Sequence, residues 1–435
     1  MTRTCRTNSS RVRLAAALAL ACATALLAVG PAQAVPPSAS GRLLVGFEKG
    51  VSKDRQQSII SSLEGRIAHR FGPIRGGRLV LVRARSSKAT DVLRKRLLRN
   101  PAVAYAEPDF FQFASATTPD DPYYSLDYAV VNSPQGHDID APDAWGTRTS
   151  CSKVATLDTG VDTDHPDLTA NILKTSDKPN NDKDDDHNGY VDDTYGWNVI
   201  NGKGSGEDDN GHGTHVAGII GALGNNANGI AGVCWSTKIV PVKFMNSKGK
   251  GSTSNAIDGI HYAVHAGVKI INCSFGSSAK SSSLEDAVQY AKSNGVLIVV
   301  AAGNDSENID KSPIYPASYT DGNILTVAAS TSSDTLASFS NYGPKGVDVA
   351  APGDSIFSTY LGGGYKTLSG TSMAAPYVSG VAALLRKQES DATYSDLRTA
   401  IRQHVDKPPA LNGKDVYDGR LNASKALGAI ASLVH

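Results

Sequence analysis

Three short blocks carry the residue types needed to attack a carbonyl: Gly370-Thr371-Ser372-Met373-Ala374-Ala375-Pro376, Asn210-Gly211-His212-Gly213-Thr214-His215 and Leu157-Asp158-Thr159-Gly160. A serine hydroxyl at its ordinary pKa is a poor nucleophile. An imidazole must accept its proton, and a carboxylate must fix the imidazole tautomer. Asp158, His212 and Ser372 supply these three roles. Each also has a plainer reading: Asp158-Thr159-Gly160 suits a turn, a lone serine before an apolar run suits a helix cap, and His212 with His215 suits a metal pair. No glutamate stands between the two histidines as it does in zinc peptidases, so His215 is read as structural. The combination favours nucleophilic catalysis.

Elements able to position these groups can be read around them. Residues 154–157, 239–244, 268–271 and 296–300 are short, β-branched and apolar on both faces, as strands buried from both sides must be. They alternate with stretches of helical spacing, which predicts a mostly parallel central sheet covered by helices. Asp158, Ser274-Phe275-Gly276 and Asn304 each follow such a strand, where open α/β sheets place their ligands. Helices are predicted over 216–223 and 373–385, so Ser372 stands at a helix N-terminus, where free N–H groups favour negative charge on an attacked carbonyl. Its own N–H is a candidate donor to that oxyanion.

The 435 residues exceed one ordinary domain. Charge is nearly balanced overall, but residues 41–113 hold 15 Lys plus Arg against 6 acids, residues 1–40 hold four Arg and no acid, and the remainder is net −12. A basic small unit and an acidic large one attract each other, which points to an intramolecular partner and away from nucleic acid. Arg3, Arg6, Arg11 and Arg13, the apolar run 14–29 and Ala32-Gln33-Ala34 form a secretory signal with cleavage expected after Ala34. The run is short for a bilayer span, and Ala19-Leu20-Ala21 before Cys22 is a poor lipidation site. A secreted protein without stable membrane association, and a monomer, is expected. From 42 to 108 the periodicity gives strand, helix, two strands, helix, strand (42–47, 53–63, 66–71, 78–84, 89–98, 102–107), the order of a ferredoxin-like α+β unit.

Between Asp158 and His212, the run Asp184-Asp185-Asp186-His187-Asn188-Gly189-Tyr190-Val191-Asp192-Asp193 offers oxygens at positions one, three and five (Asp184, Asp186, Asn188), glycine at six, Tyr190 at seven and Asp192 at nine, the pattern of a calcium loop. Tyr195 stands at twelve in place of glutamate, so this is a calcium insertion and not an EF-hand; Asp193 is a further candidate ligand. Cys5 and Cys22 fall in the signal, leaving Cys151, Cys234 and Cys273, an odd number in a secreted chain.

Six blocks in order, Asp158-Thr159-Gly160, His165-Pro166-Asp167-Leu168, residues 211–218, Ala301-Ala302-Gly303-Asn304, Ala350-Ala351-Pro352-Gly353 and the serine block, resemble the subtilisin-like serine proteases, nearest the thermitase-like branch, from about Thr118 to the C-terminus. The resemblance implies a three-layer α/β peptidase with the triad Asp158, His212, Ser372 and Asn304 as the second oxyanion donor. It implies a polypeptide substrate lying beside Ser274-Phe275-Gly276-Ser277, with Ala302 and Gly303 opposite and Tyr315-Pro316 on the far side of the primary pocket. Apolar side chains are the expected preference, with Asp305 at the rim able to meet a Lys or Arg and Ile314 making the floor shallow. It further implies a structural calcium held by Asp121, Asp167 and Asn226 with carbonyls of Gly224, Asn228 and Ile230. The parallel neighbouring strands of that fold imply a Cys151–Cys234 disulfide and a free, buried Cys273. Residues 35–116 resemble the propeptide of such enzymes, an intramolecular chaperone and inhibitor cut by the enzyme itself between about Phe113 and Thr118, leaving 117–435 as the catalytic domain. A non-catalytic relative serving as a binding module and a processing protease of narrow specificity are the alternatives. The intact triad opposes the first; the absence of an added domain after Gly419-Arg420-Leu421-Asn422 opposes the second.

Overall fold

The computed structural model describes residues 38–72, 74–110, 117–131 and 136–434. The proposed signal and most of the expected self-cleavage segment lie outside them. The described residues fall into two units, one within Met1–Gln112 and one within Phe113–His435.

The first unit runs β1 (Ser38–Phe47), α1 (Lys53–Ser62), β2 (Arg66–Arg70), β3 (Leu79–Arg83), α2 (Ser87–Leu98) and β4 (Val103–Phe110). Its four strands form an antiparallel sheet in the order β2-β3-β1-β4. Leu43, Val45 and Phe47 of β1 and Val80 and Val82 of β3 alternate toward Ile59, Ile60, Leu93 and Leu97 of the two helices and bury them. Both helices begin at serines, Ser52 and Ser86, whose hydroxyls accept the first free N–H groups. The expected βαββαβ order is the observed one.

The second unit contains α3 (Ala141–Trp145), β5 (Val154–Asp158), β6 (Trp197–Asn198), α4 (His212–Gly221), β7 (Ile239–Lys243), α5 (Thr253–His265), β8 (Ile270–Cys273), α6 (Ser282–Ser293), β9 (Leu297–Ala301), β10 (Ile324–Ser330), β11 (Val349–Pro352), the hairpin β12 (Ile356–Tyr360) and β13 (Gly364–Leu368), then α7 (Thr371–Gln388), α8 (Tyr394–Gln403) and α9 (Ala423–Ile430). Seven strands make one parallel sheet in the order β11-β10-β9-β8-β5-β7-β6.

Alternate residues along each strand feed opposite cores. Val154, Ile270, Leu297 and Val299 pack with α4, α7 and α9, while Ala155, Leu157, Ile271, Ile298 and Val300 pack with α5 and α6. That makes three layers, as expected. Boundaries moved in instructive ways. The strand expected at 268–271 is 270–273, which puts Cys273 inside the sheet. The helix expected from 216 begins at His212 itself, because Gly213, Thr214 and His215, poor helix formers, are held there by tertiary contacts. The short β6 and the hairpin β12–β13 had no pattern strong enough to be read.

Candidate active site

β5, an interior strand between β8 and β7, ends at Asp158, which is fully buried. One of its oxygens accepts from the N–H of Thr159 (2.7 Å) and faces Nδ1 of His212 at 2.7 Å. Its other oxygen is buried and has no hydrogen-bond partner among the described residues, which concentrates the charge on the imidazole. His212 is held because α4 starts against β5: a Cβ on Gly213 would lie 2.0 Å from the carbonyl oxygen of Gly160, so only glycine permits this approach. Asp208 closes the helix end, accepting from the N–H groups of Asn210, Gly211 and Thr214 and from the Thr214 hydroxyl (2.6–3.1 Å). Burial lowers the affinity of His212 for a proton, but the charge and hydrogen bond of Asp158, with the charge of Asp208, outweigh it and the net shift is upward. Asp208 was not singled out in the sequence; it stands three residues before Gly211, the residue that flanks the helix start, and carried no capping pattern.

His215, one turn on, is fully buried and turned away. Its Nε2 donates to the carbonyls of Ile356 (3.2 Å) and Lys366 (2.9 Å), tying the β12–β13 hairpin to α4, and burial pushes its pKa down to about 4.

Ser372 is the second residue of α7. Its hydroxyl donates to the Ser274 carbonyl at 3.2 Å, not to the imidazole, while the Ser274 hydroxyl donates to the Ser372 carbonyl at 2.9 Å. His212 and Ser372 line one cleft of about 400 Å³, with Ser274, Phe275, Gly276, Gly303 and Asn304. The oxygen of Asn304 accepts from both the N–H (2.8 Å) and the hydroxyl (3.0 Å) of Thr371. An amide whose oxygen is held this way must offer its NH2 elsewhere. Thr371, the residue that fixes this orientation, was visible only as part of the serine block.

The expected substrate edge is shorter than the sequence suggested. Ser277 exchanges two backbone hydrogen bonds with Tyr315 (2.9 and 2.7 Å), so the free edge ends at Gly276. Ala302 does not line the cleft; it is buried, its N–H bonded to Val327 and its carbonyl to Asn341, and Ala301 takes its place in the wall. Strand alternation turns these neighbours to opposite faces. Asp305 and Ile314 are in the wall. Tyr315 lines an adjoining pocket of about 390 Å³ with Phe244, Phe275 and Leu284.

Residues 150–425 match the sequence profile of the subtilase family. The chain belongs to that family. Residues 34–109 match the fervidolysin N-terminal prodomain, so this subtilase is a protease with a prodomain. It is 39% identical to thermitase of Thermoactinomyces vulgaris across 71% of this chain and 99% of that protein. It is 36% identical to a thermophilic serine proteinase of Bacillus sp. strain AK1 across 89% and 87% of the two chains. Among solved structures, a protease from Pseudoalteromonas arctica shares 30% identity with a TM-score of 0.60, covering 72% of this chain and 100% of the other. The subtilase is a serine endopeptidase. Among the described residues no helix is long and apolar enough to cross a membrane.

Two regions of the subtilase offer oxygens to a cation. In the first, carboxylate oxygens of Asp177, Asp184 and Asp186 lie within 4.8 Å of one another. Asp177, buried, receives the N–H groups of Asp185, Asp186 and Asp193 (2.7–3.2 Å) and so folds the loop over itself. Asp193 is buried with one oxygen bound by Tyr262 and Asn188 and the other without any partner among the described residues. Three converging carboxylates beside an orphaned one fit a hard divalent cation.

Asp177 was missed because it lies seven residues before the readable spacing. Asp192 lies outside this group of three, its oxygens accepting from the N–H groups of Asn181 and Asp182 (3.0 and 3.1 Å). The Tyr190 ring packs on Trp197 and Tyr262, leaving only its carbonyl available. The oxygen of Asn188 is turned to the N–H of Tyr190 at 2.8 Å.

In the second region Asp121 and Asp167 face the loop 224–230. Asp167 accepts from the N–H of Ile230 and Asp121 from that of Asn225; burial, joined by the charge of Asp121, outweighs the hydrogen bonds that Asp167 accepts and raises its pKa to about 6. The carbonyls of Gly224, Asn228 and Ile230 accept no hydrogen bond among the described residues, which suits a cation. Asn226 departs from the expected set: its nitrogen, not its oxygen, faces Asp167 (2.9 Å), and its oxygen caps Asn228.

Cys151 and Cys234 are joined, with Cα atoms 5.6 Å apart at the starts of neighbouring β5 and β7. Cys273 is a free thiol, fully buried, and burial followed by the charge of Asp158 pushes its pKa up, so it is no nucleophile.

Proposed function

We propose that the subtilase is a secreted, self-processing endopeptidase acting through an acyl-enzyme on Ser372. The observation that carries this reading is the meeting of Asp158–His212, Ser372 and the freed Asn304 amide at one cleft. When a peptide enters, the Ser372 hydroxyl exchanges the Ser274 carbonyl for Nε2 of His212, which takes its proton as the oxygen attacks. The Ser372 N–H and the Asn304 amide then stabilise the oxyanion, and the imidazolium, held by Asp158, protonates the leaving amine. Water repeats the sequence to release the acyl group. The side chains best accommodated at the primary pocket are apolar and of medium size, because Ile314 fills the floor: a Cβ on Gly276 would lie 2.6 Å from its Cγ2. Asp305 gives the exposed rim a negative charge.

The basic first unit acts as an inhibitor whose tail is cut in the region of residues 113–118. Calcium, held by Asp177, Asp184 and Asp186 and by Asp121 and Asp167, supplies the charge that lets these carboxylates converge. It takes no part in the chemistry. Expression of wild type and Ser372→Ala, with intact mass and N-terminal sequencing, tests the reading. Maturation of wild type alone supports it; identical processing of both assigns the cut to another protease.

A further inference from the structure

Asn304 has its side chain oriented by Thr371, but the position of its backbone needs a separate cause, since it lies beyond the end of β9 on a loop with no ladder. Thr371 supplies one bond, its hydroxyl accepting the Gly303 N–H (3.1 Å), and four more come from one buried residue, Asn341. It is fully buried, lies 37 positions away in sequence and touches neither the cleft nor the Asn304 side chain. Its Nδ2 donates to the Ala302 carbonyl (2.9 Å), and its Oδ1 accepts from the N–H groups of Asp305 and Glu307 (2.9 Å each). Its own N–H donates to the Gly303 carbonyl (2.9 Å). These four bonds bracket Asn304 from both sides.

The fit is tight. Gly303 has φ +99°, and a Cβ there would lie 2.4 Å from the Asn341 nitrogen, so the loop is folded onto this side chain at a residue that must be glycine. Asn341 is itself fixed: the Ser340 hydroxyl donates to its carbonyl (2.8 Å) and accepts from the N–H of Ala329 on β10 (2.9 Å).

We infer that Asn341 is a positioning residue for catalysis: it holds the Asn304 amide where the oxyanion forms by fixing the backbone on either side of it. The inference rests on Asn304 being an oxyanion donor. An asparagine meets the need because one side chain must donate to a carbonyl and accept two N–H groups at once. Truncation would leave the buried Ala302 carbonyl and the part-buried N–H groups of Asp305 and Glu307 without these partners and free the loop to relax. A misplaced donor costs transition-state binding and spares the ground state.

The test compares Asn304→Ala, Asn341→Ala, Asn341→Ser and the double variant Asn304→Ala/Asn341→Ala, with active sites counted by titration so that misfolded protein is not scored. Asn304→Ala is expected to lower kcat about 10²–10³-fold, the size found for such donors in this same family. Asn341→Ala is expected to lower kcat roughly tenfold or more with KM changed less than about threefold, and to add almost nothing in the Asn304→Ala background. Affinity for a peptide aldehyde, whose hemiacetal oxygen occupies the oxyanion position, should fall in parallel while affinity for a product peptide holds. If Asn341→Ala does not yield titratable enzyme, the same comparison on Asn341→Ser decides. An unchanged kcat per titrated site, or losses that multiply in the double variant, would overturn the role of Asn341. No loss in Asn304→Ala alone would instead overturn the oxyanion reading beneath it.

Discussion

The catalytic cleft and the loop from Asp177 to Asp193 are both built from carboxylates and turns, yet they are held by opposite means. In the cleft, partners come from far apart in the chain: His212 meets Asp158 across 54 positions, Thr371 meets Asn304 across 67, and Ser372 meets Ser274 across 98. Each pair sits where a helix start or strand end is fixed by the packed sheet. In the acidic loop, the carboxylates of Asp177, Asp184 and Asp186 accept hydrogen bonds across at most 16 positions, and these three converge without a cationic side chain among them. The cleft owes its geometry to the fold. The loop depends on charge neutralisation, with the Tyr190 ring against Trp197 and Tyr262 as its apolar anchor.

That contrast can be broken first at the cleft. Asp158→Asn is expected to lower kcat by about 10⁴-fold, the cost of the wrong imidazole tautomer, with a thermal midpoint close to wild type; a loss below tenfold would remove Asp158 from its role. Next comes Met373, 2% exposed beside the nucleophile. Peroxide should oxidise it slowly, and turnover should decline in step with the 16-dalton mass gain of its peptide, because a sulfoxide there crowds the oxyanion position. Full activity with Met373 oxidised would refute this.

The loop is sharpened by chelation. At a calcium level a hundredfold above the dissociation constant, binding contributes about 2.7 kcal/mol, so chelator should lower the midpoint by roughly 5–10 °C. Asp177→Asn should shrink that difference and Asp192→Asn should not, since Asp192 lies outside the group of carboxylates that converge within 4.8 Å. An equal loss from both would restore Asp192 to the ligand set.

The smallest effect is a titration. The pKa of His212 is raised above its ordinary 6.5, and the base must be neutral, so kcat/KM should climb with pH through a midpoint above 6.5. Asp208→Asn removes a charge that raises it, and should move that limb to lower pH.

What could be read from the sequence follows the same division. The proposed triad and Asn304 were legible because each lies in a compact block at the end of an apolar strand or the start of a helix. The residues that hold them were not: Thr371 and Asn341 meet partners that only the folded chain brings near, and Asp208 acts on a turn whose course its own neighbours do not fix. Asp184 and Asp186 were legible from loop spacing, whereas Asp177 enters that group by folding back from a different turn. Ala302 was misplaced by one residue, and in a strand one residue reverses the face. Cys151 and Cys234 needed the strand order, which only the resemblance provided.

The most direct test of the central claim is covalent. Mature enzyme treated with a fluorophosphonate should take up one equivalent, found by peptide mapping on Ser372, and the reaction should slow sharply in His212→Ala. Label on any other residue, or no label on enzyme that still cleaves peptide, would contradict it.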